Sequence, residues 1–341
     1  MHKADFYRLI TSYDEDLDKY ERIYASKVFT DTYFPCELLN NPKVEYGGTG
    51  FYFDKAPNLP SEIEHHYPDY EIYVDWINEQ IANGSKRDEY KMYLDYSLGF
   101  MTRGCFRKCE FCVNQKYDRV FKHSPLSEFY NPDKKKICLL DDNILGCKDW
   151  REILEELKAT KKPFRFMQGM DERILTDEKC ELLFSCKYDG YYTFAFDDVD
   201  DYDLIERKLK LIRKYCNETK FRFYVLCGFK STDDKDIEDT FKRIELLFKY
   251  GCVPYIMRYQ SSEDKPYEHS INRGMYVTLA RWCNQPSFVK NKTFREFSYM
   301  VDSSQRYMEE FGKRCPHIAE KYYDMRFKKW NENTSIRPIG K

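Results

Sequence analysis

The chain of 341 residues contains no stretch approaching the ~18 uncharged apolar residues of a membrane span. Its start, Met1-His-Lys-Ala-Asp-Phe6, lacks the apolar region of a secretion signal. It has no internal repeat and no low-complexity linker. Basic runs long enough to argue for nucleic acid are also missing, so a nucleic-acid partner has no support in the sequence. Net charge is small, at −2, but unevenly spread. Residues 1–99 hold 10 Lys/Arg and 19 Asp/Glu, and the remainder holds 46 and 39. Most of these charges read as solvated surface; a mildly basic body could also face an anionic substrate. Apolar residues make up 42% of the chain, enough for a full core in one large or two modest domains.

What the chain has in plenty is cysteine and tyrosine. The 30 Tyr fit either an aromatic-lined pocket or a biased codon usage. Thirteen cysteines without a secretion signal argue for a reducing compartment, the cytoplasm, rather than for a disulfide scaffold. Most lie in apolar context, such as Cys138 before Leu139-Leu140 or Cys227 after Tyr224-Val225-Leu226. Buried free cysteine behaves as a small hydrophobe, so these read as core.

Cys105, Cys109 and Cys112 differ. They form a Cys-x3-Cys-x2-Cys run directly after the apolar-aromatic segment Tyr96–Met101. Three thiolates in eight residues can wrap one side of a metal centre, and thiolates suit iron–sulfur clusters and zinc. With three ligands, one corner of a four-iron cluster stays without a protein thiolate. Zinc is the rival occupant and needs a fourth ligand, for which His123 is nearest in sequence. Zinc knuckles usually come as paired Cys-x2-Cys units, a pattern the chain does not show.

This run resembles the signature of the radical S-adenosylmethionine (SAM) enzymes, with Phe111 as the aromatic residue before the last cysteine. The resemblance covers residues 96–290. It implies a 4Fe-4S cluster on Cys105, Cys109 and Cys112, SAM on the open iron, and an external electron donor such as flavodoxin or ferredoxin. It also implies reductive cleavage of SAM to a 5′-deoxyadenosyl radical that abstracts hydrogen from a substrate the sequence does not identify. The cofactor supplies the hard chemistry and the protein supplies orientation. The alternative is a zinc- or cluster-stabilised binding protein without catalysis.

From Tyr96 the pattern alternates between strands and helices. Strands are expected at Tyr96–Met101, Lys136–Leu140, Phe164–Met167, Tyr191–Phe196, Phe221–Cys227 and Val253–Met257. Helices are expected at Trp150–Thr160, Thr176–Cys186, Tyr202–Tyr215, Ile237–Tyr250 and in Met275–Phe297. Each strand, the last aside, is expected to lead into a helix. The alternation implies parallel strands flanked by helices. Periodicity does not separate an open sheet from a barrel; the resemblance implies a partial (β/α)6 TIM-like barrel. The expected organisation is a small α/β region over 1–95, a core over 96–298, and a helical, basic tail over 299–341. The first region contains the glycine-rich turn Glu45–Gly50, and its Ala25–Gly50 segment resembles the end of a Rossmann-type domain. No Asp-x-His-x-x-Gly motif is present, so no cobalamin is expected. No second Cys-x2-Cys group follows, so no auxiliary cluster is expected either.

Ligand groups in parallel β/α folds gather at the carboxyl ends of the strands. Those ends are polar here. Asp141-Asp142-Asn143 resembles a SAM-ammonium motif, with a helix N-cap cluster as the alternative. Gln168 could hydrogen-bond SAM and Arg173 could pair its carboxylate, unless both sit on an ordinary exposed turn. Asp197 could accept from the ribose hydroxyls, or Asp197-Asp198 could cap a helix. Cys227–Lys230 resembles an adenine-contacting position. Arg258 is a candidate partner for a substrate anion or the SAM carboxylate.

Overall fold

A computed structural model of the chain describes residues 19–29, 32–52, 56–114, 116–218, 220–261 and 264–330. The chain divides into two compact units. One is Met1–Asp95 with Lys108–Tyr117, and the other is Tyr96–Arg107 with Asp118–Lys341. The larger unit therefore runs through the expected boundary at residue 298, and the smaller takes up part of the cysteine loop.

In the smaller unit, β1 (Ile23–Ser26) and β2 (Val44–Gly47) pair in parallel, joined through a single helical turn at Cys36–Leu39. A helix also runs over Val74–Ala82, and Gly84 follows it at φ 103°. A C-terminal glycine accepts that backbone at no steric cost.

The larger unit begins with β3 (Tyr96–Gly99) and two two-residue strands, β4 (Thr102–Arg103) and β5 (Phe121–Lys122). It continues with β6 (Lys136–Leu139), β7 (Phe164–Phe166), β8 (Tyr192–Ala195), β9 (Phe221–Cys227) and β10 (Val253–Arg258). β3, β6 and β7 form one parallel ladder, and β8, β9 and β10 another. The bridges Phe164↔Tyr188 and Met170↔Phe194, both parallel, join them. Six parallel strands thus lie side by side in chain order, and the array does not close into a barrel.

The sequence explains this arrangement locally. Phe221-Arg-Phe-Tyr-Val-Leu-Cys227 alternates strictly. Phe221, Phe223, Val225 and Cys227 are buried, and the residues between them are half-exposed. The Trp150–Ala159 helix turns Ile153, Leu154 and Leu157 inward, as its 3.6-residue spacing requires. Thr176 caps the Asp177–Phe184 helix by accepting from Lys179 N, which satisfies one of its free donors. Asp233 does the same for Asp234–Lys249 through Asp236 N. The Arg273–Cys283 helix follows β10, and Asp302–Arg314 packs on it.

One expectation fails. No α-helix connects β3 to β6 among the described residues. The intervening chain carries Gly104, the three cysteines, Pro125 and Asn131-Pro132. Glycine and proline break a helix, and the segment has no apolar stripe to bury. The loop is instead tied at its base by antiparallel β4 and β5, with Thr102 opposite Lys122 and Arg103 opposite Phe121. Thr102 and Arg103 are therefore strand.

The remaining cysteines behave as core. Eight of the ten are buried, Cys216 is partly buried and Cys36 is exposed. None of these ten forms a disulfide. Burial pushes the Cys180 thiol up to about 12 and Cys252 to about 11, which makes both inert at neutral pH.

Candidate metal centre

The cysteine loop leaves the carboxyl end of β3, and its first part is held by the carboxyl end of β6. Asp141 is 2% exposed. Its Oδ1 accepts from Thr102 N and from Thr102 Oγ1 (2.6 Å), and its Oδ2 from Met101 N (3.2 Å). Burial pushes its carboxyl up to about 6, against the pull of these hydrogen bonds. Asp142 Oδ2 accepts from Gly104 N at 3.0 Å. Gly104 itself has φ 87°, a conformation glycine adopts freely. Asn143 Nδ2 donates to Cys105 Sγ at 3.4 Å. Three consecutive side chains thus grip Met101–Cys105. None of them acts as the helix cap that the sequence also allowed, since Asn143 makes no capping bond to the turn that follows.

Two further contacts fix the same segment. Gly146 lies beneath the Phe106 ring: a Cβ there would come within 2.8 Å of Phe106 Cε1. Arg107 Nε donates to Asp171 Oδ2 at 2.8 Å, and Arg173 Nε donates to Asp171 Oδ1 at 2.8 Å. Burial would raise the Asp171 carboxyl, but the hydrogen bonds from Arg173 and Arg107 outweigh it and hold its pKa below the usual range.

The division between the two units falls inside the loop. Cys105 belongs to the larger unit, and Cys109 and Cys112 to the smaller. Within the smaller unit Cys112 N donates to Cys109 O (2.9 Å), and Asn114 N donates to Cys112 Sγ (3.4 Å). Arg107 N makes the equivalent bond to Cys105 Sγ at 3.4 Å. Cys105, Cys109 and Cys112 are all half-exposed. Among the described residues, no three His, Cys, Asp or Glu side chains gather closely enough to hold a metal. The fit to a thiolate-bound metal therefore rests on donor chemistry. Cys105 and Cys112 each receive an N–H from two residues on, and N–H donors stabilise sulfur that carries negative charge. Asn143 Oδ1 is buried beside this segment and has no hydrogen-bond partner among the described residues. An unpaired buried acceptor costs free energy until a donor reaches it. Its position suits a ligand that brings N–H groups.

The chain matches no protein-family model and no curated protein.

The other expected contacts are placed as follows. Phe111 is half-buried within Lys108–Tyr117. Gln168 is exposed just past the end of β7. Arg173 is partly buried, and its guanidinium is already engaged by Asp171 and, at 3.4 Å, by Asp201 Oδ2. Asp197 follows β8 and is partly buried; burial pushes it up to about 6 against the nearby Arg243. Asp198 is the one of the pair that caps, accepting from Asp200 N, and it also pairs with Lys230. Gly228 N donates to Asp236 Oδ2 (2.9 Å). Arg258 is exposed, with its guanidinium 4.8 Å from the centre of the Tyr267 ring. His123, the possible zinc ligand, contacts Ser124 Oγ through Nδ1 at 2.9 Å. It lines a cavity of about 220 Å³ with Met101, Lys122 and Glu152.

Two groups at the sheet's carboxyl edge escaped the sequence reading. Glu172 is 1% exposed and accepts from Ala195 N (3.1 Å); burial pushes it up to about 8. Buried Arg243 donates to the carbonyls of Phe196, Asp197 and Leu226, closing off the ends of β8 and β9. Only the polar Asp171-Glu172 pair in the loop after β7 gave any signal for the first. Nothing in a helix sequence marks the second.

Proposed function

We propose that this chain is a radical SAM enzyme in which Cys105, Cys109 and Cys112 hold one 4Fe-4S cluster. The observation that carries the reading is the grip of Asp141-Asp142-Asn143 on Met101–Cys105. It joins the carboxyl ends of two neighbouring parallel strands and presents the first cysteine there, where parallel β/α sheets collect their ligands. The six strands in chain order support a partial (β/α)6 barrel as the finer description of the fold.

When bound, the cluster and SAM supply a reducing electron, drawn from an external donor such as flavodoxin, and a 5′-deoxyadenosyl radical for hydrogen abstraction. The protein's own part is positioning. Asp141 and Asp142 fix the loop backbone, so their carboxylates orient the cysteines rather than touching SAM. Asn143 donates to the Cys105 sulfur and keeps Oδ1 free to accept from the SAM ammonium group. Asp171 locks Arg107 and Arg173 and so ties the loop to the end of β7. Asp197 and Arg258 remain candidates for the ribose and for an anionic group. The reading places the enzyme in the cytoplasm, where thiols stay reduced.

Anaerobic reconstitution with iron and sulfide tests the proposal. The expected product binds about four irons per chain and forms 5′-deoxyadenosine from SAM and dithionite. A colourless protein that retains one zinc and leaves SAM intact would overturn it.

A further inference from the structure

Strands β7 and β9 each carry an arginine that has no salt-bridge partner among the described residues. On β9, Arg222 and Tyr224 alternate with the buried Phe221, Phe223 and Val225. Tyr255 pairs in register with Tyr224. Arg165 is the half-exposed middle residue of β7. The Arg222 guanidinium lies 4.7 Å from the centre of the Tyr191 ring and 5.6 Å from that of Tyr255. Its Nε is fully buried and has no hydrogen-bond partner among the described residues. Neither arginine forms a salt bridge among those residues; Arg165 Nη2 donates to the weak acceptor Met167 Sδ at 3.0 Å, and its guanidinium lies beside the Cys138 thiol and 5.7 Å from the centre of the Tyr96 ring. Asp189, the carboxylate that feels Arg165, has its oxygens taken by Tyr96 Oη (2.5 Å) and Lys136 Nζ (2.6 Å). Lys290 adds a further cation, donating to Tyr191 Oη at 3.0 Å.

A buried guanidinium N–H without an acceptor is costly, and two flanking rings recover only part of that cost. Two rings flank it, and no hydrogen bond among the described residues occupies its Nη1 or Nη2. That is the geometry for a bidentate oxyanion. The Tyr224 hydroxyl lies within electrostatic reach of both Arg222 and Arg165 and supplies a third donor. We infer that Arg222, Arg165 and Tyr224 form a binding site for an oxyanion, a carboxylate or phosphate group on the substrate. As a substrate subsite this rests on the radical SAM reading. As an anion site it does not, because binding needs neither cluster nor SAM.

The test uses the full chain without cluster, titrated at constant ionic strength with inorganic phosphate, with succinate, and with sodium chloride as control. Calorimetry and thermal melting should show saturable binding of phosphate or succinate, and the arm that saturates names the group. Arg222→Gln and Arg165→Gln should each weaken binding at least about tenfold, and Arg222→Lys should fall between Arg222→Gln and the unaltered protein. Should a variant fail to fold, phenylglyoxal labelling of the unaltered protein serves instead: the saturating anion should protect Arg222. No saturable response above chloride, unchanged binding in Arg222→Gln, or unprotected Arg222 overturns the inference. Anion binding without 5′-deoxyadenosine formation removes the radical reading and leaves the site; the converse removes the site alone.

Discussion

Glu172 gives the stability of the larger unit a pH dependence that one substitution should erase. The carboxyl is 1% exposed, accepts one backbone N–H from Ala195, and lies 4.0 Å from Arg173 Nε. Burial dominates and pushes it up to about 8, from 4.5 in the unfolded chain. Below pH 4.5 it is neutral in both states and costs nothing. As pH rises toward 8, the unfolded chain releases this proton while the folded chain keeps it. Stability then falls by about 1.4 kcal/mol per pH unit. The loss from this one group reaches about 1 kcal/mol at pH 5 and about 4 kcal/mol at pH 8. Glu172→Gln keeps an acceptor for Ala195 N and removes the titration. Any cost of the new amide is the same at every pH. Urea unfolding between pH 5 and pH 8 should show the variant gaining on the unaltered protein by about 3 kcal/mol across that range. Asp141 and Asp197, both raised to about 6, titrate in both proteins and cancel. A stability difference that stays constant across the range would refute the reasoning.

Asp141→Ala should remove the acceptor for three donors and destabilise the protein by about 3 kcal/mol. It should also lower iron uptake on reconstitution, read by urea unfolding and metal analysis. Gly99→Ala would bring a Cβ to 2.2 Å from Phe129 Cγ, deep inside contact distance. It should cost about 2 kcal/mol or more, with the smaller Phe129→Leu restoring part of that loss in a double-mutant thermal melt. Arg107→Gln should loosen the loop's tie to Asp171, raising the Asp171 pKa, which carbon-detected NMR titration would follow.

Much of the larger unit could be read from spacing. The Tyr202–Tyr215 helix and the Phe221–Cys227 strand match their expected bounds residue for residue, because a continuous apolar stripe or strict alternation fixes both ends. The paired two-residue strands β4 and β5 are too short to show any period, so the stem of the cysteine loop was invisible. The missing helix after β3 follows from the loop's own composition, since a segment broken by Gly104, Pro125 and Pro132 carries no continuous apolar stripe. Closure of the sheet is not written in periodicity at all, because open sheets and barrels share the same alternation. At the site, the strand-end positions were legible as polar residues, but their uses were not. Asp141 and Arg173 looked available for a ligand, and both are engaged within the protein. Arg222 escaped notice because its meaning lies in what surrounds it: two rings from distant segments and no carboxylate.

The most direct test of the central claim compares four single variants after anaerobic reconstitution. Cys105→Ala, Cys109→Ala and Cys112→Ala should each abolish 5′-deoxyadenosine formation from SAM and dithionite. Cys147→Ala, at a buried cysteine outside the run, should retain it. SAM cleavage at the unaltered rate in any of the first three would contradict the assignment of the cluster to this loop.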